Sequence, residues 1–167
     1  MGDLTKRQGK NISAMKNEHF LCLFAMTGRG LLCIDPHVPY DQHSPYENEA
    51  TIGAAVLAML NKSSILSTAE LNSLIKSGAN EERKRGWVEE LSRQFSYRDK
   101  NKIYEKIMRV SIKELDGSIT FRPTRHVGLD KWRMKPASEY IVISSESSNK
   151  EIGKALSEAF ERCTNEV

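Results

Sequence analysis

The stretch that decides the fold runs Ile107-Met108-Arg109-Val110-Ser111-Ile112-Lys113-Glu114-Leu115-Asp116-Gly117-Ser118-Ile119-Thr120-Phe121. Met108, Val110 and Ile112 alternate with Arg109, Ser111 and Lys113, the period-two pattern of a strand with one buried face. Asp116-Gly117 supplies the positive φ of a two-residue hairpin turn, and Ile119 and Phe121 resume the alternation. Downstream, Tyr140 to Ile143 is a short apolar run, which reads as a central strand because it does not alternate. Ser147 and Ser148 lead into Ile152, Leu156, Ala159, Phe160 and Cys163, one face of an amphipathic helix. This is an α+β scaffold, and no reaction chemistry is written on it.

Working upstream, Phe20 to Met26 and Leu31 to Ile34 are apolar runs separated by Gly28-Arg29-Gly30, a first hairpin. Asp35 to Tyr46 holds Pro36, Pro39 and Pro45 with no periodicity, and reads as a loop. Ile52, Val56, Met59 and Leu60 share the face of a helix that starts at Asn48 or Glu49. Ser67-Thr68-Ala69-Glu70 is a capping box for a second helix carrying Leu71, Leu74 and Ile75, which Gly78 ends. A third helix, capped by Asn80, carries Trp87, Val88, Leu91 and Phe95. The expected architecture is one antiparallel sheet, made of two hairpins and the Tyr140 strand, against helices near 49–60, 68–77, 80–95 and 150–163. Residues 1–17 are polar and basic, which predicts a flexible arm ahead of a single domain over 18–167. One internal echo stands out: Ile52-Gly53-Ala54-Ala55-Val56 against Ile152-Gly153-Lys154-Ala155-Leu156. A glycine just after the first apolar anchor predicts a first turn lying close against the sheet.

Composition narrows the function classes. The 167 residues are 39% hydrophobic and 28% charged, as in an ordinary soluble domain. No apolar run is long enough to span a membrane and no secretory leader is evident, so the expectation is a cytoplasmic protein. Cys22, Cys33 and Cys163 lack the close pairing a zinc site needs, and read as buried thiols. His37 and His43 sit with Asp35 and Asp41 in a proline-rich loop too mobile to fix metal ligands, so neither metal nor cofactor is expected. His126 and Asp130, four apart, have no nucleophile motif beside them, which argues against a small hydrolase. Arg83, Lys84, Arg85, Arg98, Lys100 and Lys102 mix with Tyr97 and Tyr104 as in a small RNA- or DNA-binding regulator. Glu81, Glu82, Glu89, Glu90, Asp99 and Glu105 are interleaved with them, lowering the field a phosphate backbone would feel. A solvated surface is the better reading of that segment.

A spaced series carries a family resemblance: Ile52-Gly53, Ala55-Val56-Leu57, Phe95-Ser96-Tyr97, Lys102, Tyr104, Met108 and Val110-Ser111-Ile112. It continues through Gly117 to Pro123, Leu129, Trp132, Tyr140 to Ile143, and Ile152 to Cys163. In these positions the chain resembles the immunity proteins of bacterial contact-dependent growth inhibition systems, over roughly residues 47–163. The resemblance implies a cytosolic, non-enzymatic antidote. Its partner would be the C-terminal toxin domain delivered by a neighbouring cell, a nuclease in many such systems. The basic N-terminal arm lies outside the resemblance, and the net charge of +3 is unusual for an inhibitor of a basic nuclease.

The resemblance fixes no contact residues, but the charge pattern suggests some. No Lys or Arg occurs between Arg29 and Lys62, while Asp35, Asp41, Glu47 and Glu49 do. A nuclease active site holds phosphate with cations, and these carboxylates would mimic phosphate there, with Tyr40 and Tyr46 as apolar anchors. The candidate contact set is therefore Asp35, Tyr40, Asp41, Tyr46, Glu47 and Glu49.

Overall fold

The computed structural model describes residues 7–167. Its centre is a sheet whose main path runs β10-β7-β6-β1-β2-β3. The strands are β1 (Lys10–Lys16), β2 (Leu21–Arg29), β3 (Leu31–Ile34), β6 (Met108–Leu115), β7 (Ser118–Gly128) and β10 (Thr164–Asn165). Four short strands attach to that path: β4 (Asp41–His43) and β5 (Ser64–Ile65) on β2, and β8 (Lys131–Met134) and β9 (Ile141–Ser144) on β7. Most pairs are antiparallel; β5 with β2 and β10 with β7 are parallel. The β6–β7 turn is the expected one, with Asp116 at φ 51° and Gly117 at φ 78°, the left-handed pair that a two-residue hairpin demands.

The expected arm over 1–17 is corrected by this topology. Residues 1–6 lie outside the described part, but Lys10–Lys16 is the strand between β2 and β6, with Ile12 opposite both Ala25 and Ile112. Its composition hid it. Ile12 and Ala14 serve one face, while the other face takes Asn11 and Ser13, both buried. Small polar side chains can be buried in a strand once each finds a partner. Asn11 donates to the Gln8 carbonyl at 2.6 Å, and Ser13 Oγ accepts from Arg109 at 3.0 Å.

Among the described residues four long helices flank the sheet: α1 (Glu49–Leu60), α2 (Thr68–Ser77), α3 (Ala79–Gln94) and α4 (Asn149–Glu161). The predicted capping box at Ser67 forms on α2, and Ser148 caps α4 with a second reciprocal capping box. α1 and α4 lie together on one sheet face. Ile52, Val56 and Met59 of α1 meet Ile152, Leu156 and Phe160 of α4 over Ile12, Leu23, Ile112 and Phe121. Each such side chain contributes about 1.5–3 kcal/mol on burial. α3 covers the opposite face over β1 and β2, where Trp87, Val88 and Leu91 pack on Met15, Phe20, Cys22 and Phe24. β2 is therefore buried on both sides, which is why its sequence is an unbroken apolar run.

Other expectations shift for local reasons. The run at Tyr140–Ile143 forms β9, which pairs with β7 alone; Ile141 and Ile143 face the core and Val142 is 60% exposed. It is an outer strand, and among the described residues nothing on its far face covers Val142. Gly78, at φ 67°, both ends α2 and precedes α3, so α3 begins at Ala79 with no side-chain cap, ahead of the expected Asn80. Of α2's apolar positions only Leu74 is buried, and Ile75 is exposed. The glycine echo has a different cause from the one predicted. A Cβ on Gly53 would strike the Asn149 carbonyl, and one on Gly153 would strike the Glu49 carbonyl. Each glycine admits the first turn of the other helix.

Substitution tests this crossing. Gly53→Ala or Gly153→Ala forces a methyl into backbone, and over-packing of this kind costs about 1–3 kcal/mol or more. Gly86, mid-helix in α3, meets nothing within 4 Å, so Gly86→Ala gains roughly 0.5–1 kcal/mol from helix propensity. Thermal unfolding should place the first two variants well below the wild type and the third slightly above it. Equal midpoints for Gly53→Ala and wild type would mean that the helices do not cross there.

Candidate functional site

The candidate residues separate into two kinds of environment. Asp35 is buried, and its carboxylate accepts from the His37 amide at 2.9 Å, closing the turn after β3. Tyr40 is an internal fastener. Its ring packs on Phe24, with centroids 5.7 Å apart, and beneath the Arg83 guanidinium at 5.1 Å, while its hydroxyl donates to Glu90 of α3. Burial first, and then the Glu90 carboxylate, push the Tyr40 phenol well above its ordinary pKa, so it stays a donor. Asp41 pairs with His43 at 2.8 Å within β4.

The remaining residues face outward. Tyr46 is 85% exposed, and the exposed Glu47 touches the Asn48 amide at 3.0 Å. Glu49 stands in the first turn of α1, whose N-terminus Asn48 caps by accepting from the Thr51 amide. Glu47, Glu49 and Pro45 share a small hollow with Lys16, Gly153 and Phe160. Lys16 lies over the Phe160 ring at 5.4 Å, and burial lowers its pKa against the pull of Glu161. Tyr46, Glu47 and Glu49 thus project from the loop, Asp41 is half-exposed but tied to His43, and Asp35 and Tyr40 hold the loop's shape. The sequence could not tell these apart, because a tyrosine that anchors a loop and one that projects from it have the same local context.

The other sequence candidates are placed as follows. Lys84 pairs with Asp130, Lys100 with Glu89 at 3.2 Å, and Lys102 with Glu105 at 2.8 Å. The basic middle is therefore interlaced with acid in space as it is in sequence. His126 is buried; its Nε2 bonds the Leu129 carbonyl at 3.0 Å and its ring stacks on Trp132 with centroids 4.8 Å apart. Asp130 belongs to Lys84, so His126 and Asp130 do not form a pair. Burial pushes the Cys22 thiol up to about 12, and raises Cys33 and Cys163 as well. These are inert thiols. Among the described residues no cluster of His, Cys, Asp and Glu could hold a metal ion, and no helix is long and apolar enough to cross a membrane.

The sequence reading missed one surface. α3 stops short of β6 and β7, and on that side of the sheet the strands carry Arg109, Ser111 and Lys113 beside Thr120, Arg122 and Thr124, with Ser111 and Thr124 buried and the three cations part-exposed. The signal was present in the polar half of the β6 alternation, which reads as the solvent side until β7's Arg122 is placed against it.

With this geometry established, comparison with known proteins is informative. The family model described as CDI immunity protein matches residues 10–163. The curated Immunity protein CdiI-YPIII of Yersinia pseudotuberculosis serotype O:3 (strain YPIII) is 25% identical over 98% of this chain and 99% of its own length. A solved structure of a protein of unknown function from Neisseria meningitidis superimposes with a TM-score of 0.86 at 25% identity, covering 92% of this chain and 94% of that one. A chain of the CdiA-CT/CdiI toxin and immunity complex from Yersinia pseudotuberculosis superimposes with a TM-score of 0.83 at 24% identity, covering 93% and 97%. This last likeness is one of fold.

Tyr40 and Tyr46 differ in what they hold, and thermal unfolding separates them. Tyr40→Phe removes the hydrogen bond to Glu90 and should cost about 0.5–1.5 kcal/mol, a fall of roughly 2–4 °C per kcal/mol in a chain of this size. Tyr46→Ala should stay within about 0.5 kcal/mol of wild type. A Tyr46→Ala midpoint as low as that of Tyr40→Phe would mean that Tyr46 is packed.

Proposed function

The chain belongs to the CDI immunity protein family, and from that premise we propose that it binds and neutralises the C-terminal toxin domain of its cognate contact-dependent growth inhibition system. The observation that carries the reading is the family match across residues 10–163, which takes in β1 to β9 and the helices α1 to α4. The solved Yersinia assembly, which contains a toxin and an immunity protein of the same fold, supports it. In this reading the protein works in the cytoplasm, as an inhibitor and without catalysis. The internal engagement of His126 and the pairing of Asp130 with Lys84 agree with that role.

The toxin is in our reading a nuclease, and the loop from Asp41 to Glu49 is the surface that meets it. A site built to hold phosphate offers cations, and this loop offers carboxylates beside an exposed ring, held in place by the Tyr40 anchor that precedes it. The anchoring limits the entropy lost on binding, and the charge speeds encounter.

Co-expression tests the function. Cells making the cognate toxin domain should survive when this chain is present and die when it is absent, and the purified pair should co-elute. Failure of both would remove the reading. Reversing Asp41 and Glu47 to Lys tests the surface: association should slow by roughly tenfold or more at low salt, the difference shrinking as salt rises, with the melting temperature unchanged. Wild-type association by the double variant would move the contact elsewhere while leaving the function standing.

A further inference from the structure

The face of β1, β6 and β7 that faces away from α1 and α4 is a built electrostatic feature. The register sets Ser13, Ser111 and Arg122 in one row across β1, β6 and β7, with Asn11, Lys113 and Thr120 in the next. Ser13 Oγ accepts from Arg109 Nε at 3.0 Å, and Ser111 Oγ accepts from Arg122 Nη2 at 2.9 Å. A strand serine therefore steadies each guanidinium. Arg122 Nε is buried without a partner among the described residues. Arg109 also lies 5.9 Å from the Trp132 ring centroid. Among the described residues Lys113 donates to the Arg7 carbonyl, at 2.6 Å.

Among the described residues none of Arg109, Lys113 and Arg122 makes an ion pair. Asp130, which lines the same cleft of about 190 Å³ as Arg109, is taken by Lys84. Burial pulls the pKa of each of the three down. Arg122 adds to the fall at Lys113, where Asp116 opposes it, and, against a larger opposing pull from Asp130, at Arg109. Arg122 is thus within electrostatic reach of both Arg109 and Lys113. Like charges gathered on one sheet face and partly removed from water are unfavourable until an anion joins them.

We infer that this face is an anion-recognition surface, and that its occupant is a carboxylate-bearing segment of the toxin domain, received by Arg109 and Arg122 with Lys113 beside them. The inference rests on the toxin-binding reading above. A guanidinium fork matches a planar carboxylate with two parallel hydrogen bonds. A protein carboxylate fits better than a nucleic-acid backbone, because the cationic area is confined to three residues. In the cleft beside Arg109, Glu81 and Asp130 stand with Lys84, so the cationic area does not extend across α3. The surface has the opposite sign to the loop at Asp41–Glu49, so the partner would present charges of both signs.

The test titrates wild type, Arg109→Gln, Arg122→Gln and Lys113→Gln against a catalytically inactive cognate toxin domain, with thermal unfolding of each variant and a single-stranded RNA oligonucleotide as a second probe. The arginine variants should weaken toxin binding at least about thirtyfold, with midpoints equal to or above wild type, since repulsion is relieved. Lys113→Gln should weaken it less. Arg122→Glu should regain affinity for a toxin variant in which one surface carboxylate is changed to Lys. Wild-type affinity in all three Gln variants overturns the inference and leaves the toxin reading intact, whereas a wild-type chain that does not bind the toxin removes that reading and this one together. RNA binding that is lost in Arg122→Gln overturns it in favour of nucleic acid. If the arginine variants unfold early, Lys113→Gln decides: unchanged affinity there overturns the inference.

Discussion

The contact on which the rest of the molecule depends is the crossing of α1 and α4 at Gly53 and Gly153. With no side chain on either residue, the backbone of each helix reaches the first turn of the other. Two helices that touch backbone to backbone occupy little width, so both fit on one face of the sheet. Ile52 and Ile152, each adjacent to its glycine, then reach the same core as Val110, Ile112 and Phe121. The placement of α1 also fixes where the loop before it emerges, since Asn48 caps that helix and Glu47 immediately precedes it. A packing constraint deep in the scaffold thereby sets the position of an exposed charge.

Much of this was legible because the signals were local. A capping box specifies a helix start by two hydrogen bonds within four residues, and Asp116-Gly117 specifies a turn by backbone conformation alone. What could not be read depended on distant parts of the chain. Lys10–Lys16 is polar in sequence, yet it is buried because β2 and β6 lie on either side of it. Tyr140–Ile143 is apolar in sequence, yet it lies outermost because among the described residues nothing covers Val142. The repeated Ile-Gly pattern was visible, but its reason, mutual contact between the two helices, required their relative placement.

The candidate surface shows the same division. A cation-free stretch from Arg29 to Lys62 is a sequence fact, and the exposed Tyr46 and Glu47 agree with its reading as a binding loop. Asp35 and Tyr40 belong to the same stretch but serve the loop's own architecture, through His37 and Glu90. Charge pattern identifies a segment; only tertiary contacts sort its residues into those that shape it and those that project from it. The arginines on the opposite sheet face were passed over for the converse reason. Single cations in a strand's outward register attract no notice until their neighbours from another strand are known.

The position of β1 has a consequence for how the chain is made. β1 and β2 are synthesised first and can pair at once, but the other edge of β1 waits for β6, whose first residue is Met108. At about 5–20 residues per second, the interval from Lys16 to Met108 lasts roughly 5–20 s. Throughout that time a nascent hairpin bearing Phe20, Leu21, Leu23 and Phe24 offers an open ladder and an apolar face. Such an edge invites pairing with other chains. Closing it requires a contact spanning most of the sequence, the kind of long-range pairing that slows folding. A fold that buries its earliest strand in the middle of its sheet therefore matures only after nearly two-thirds of the chain has been translated, and during that window it depends on whatever shields the unpaired strand.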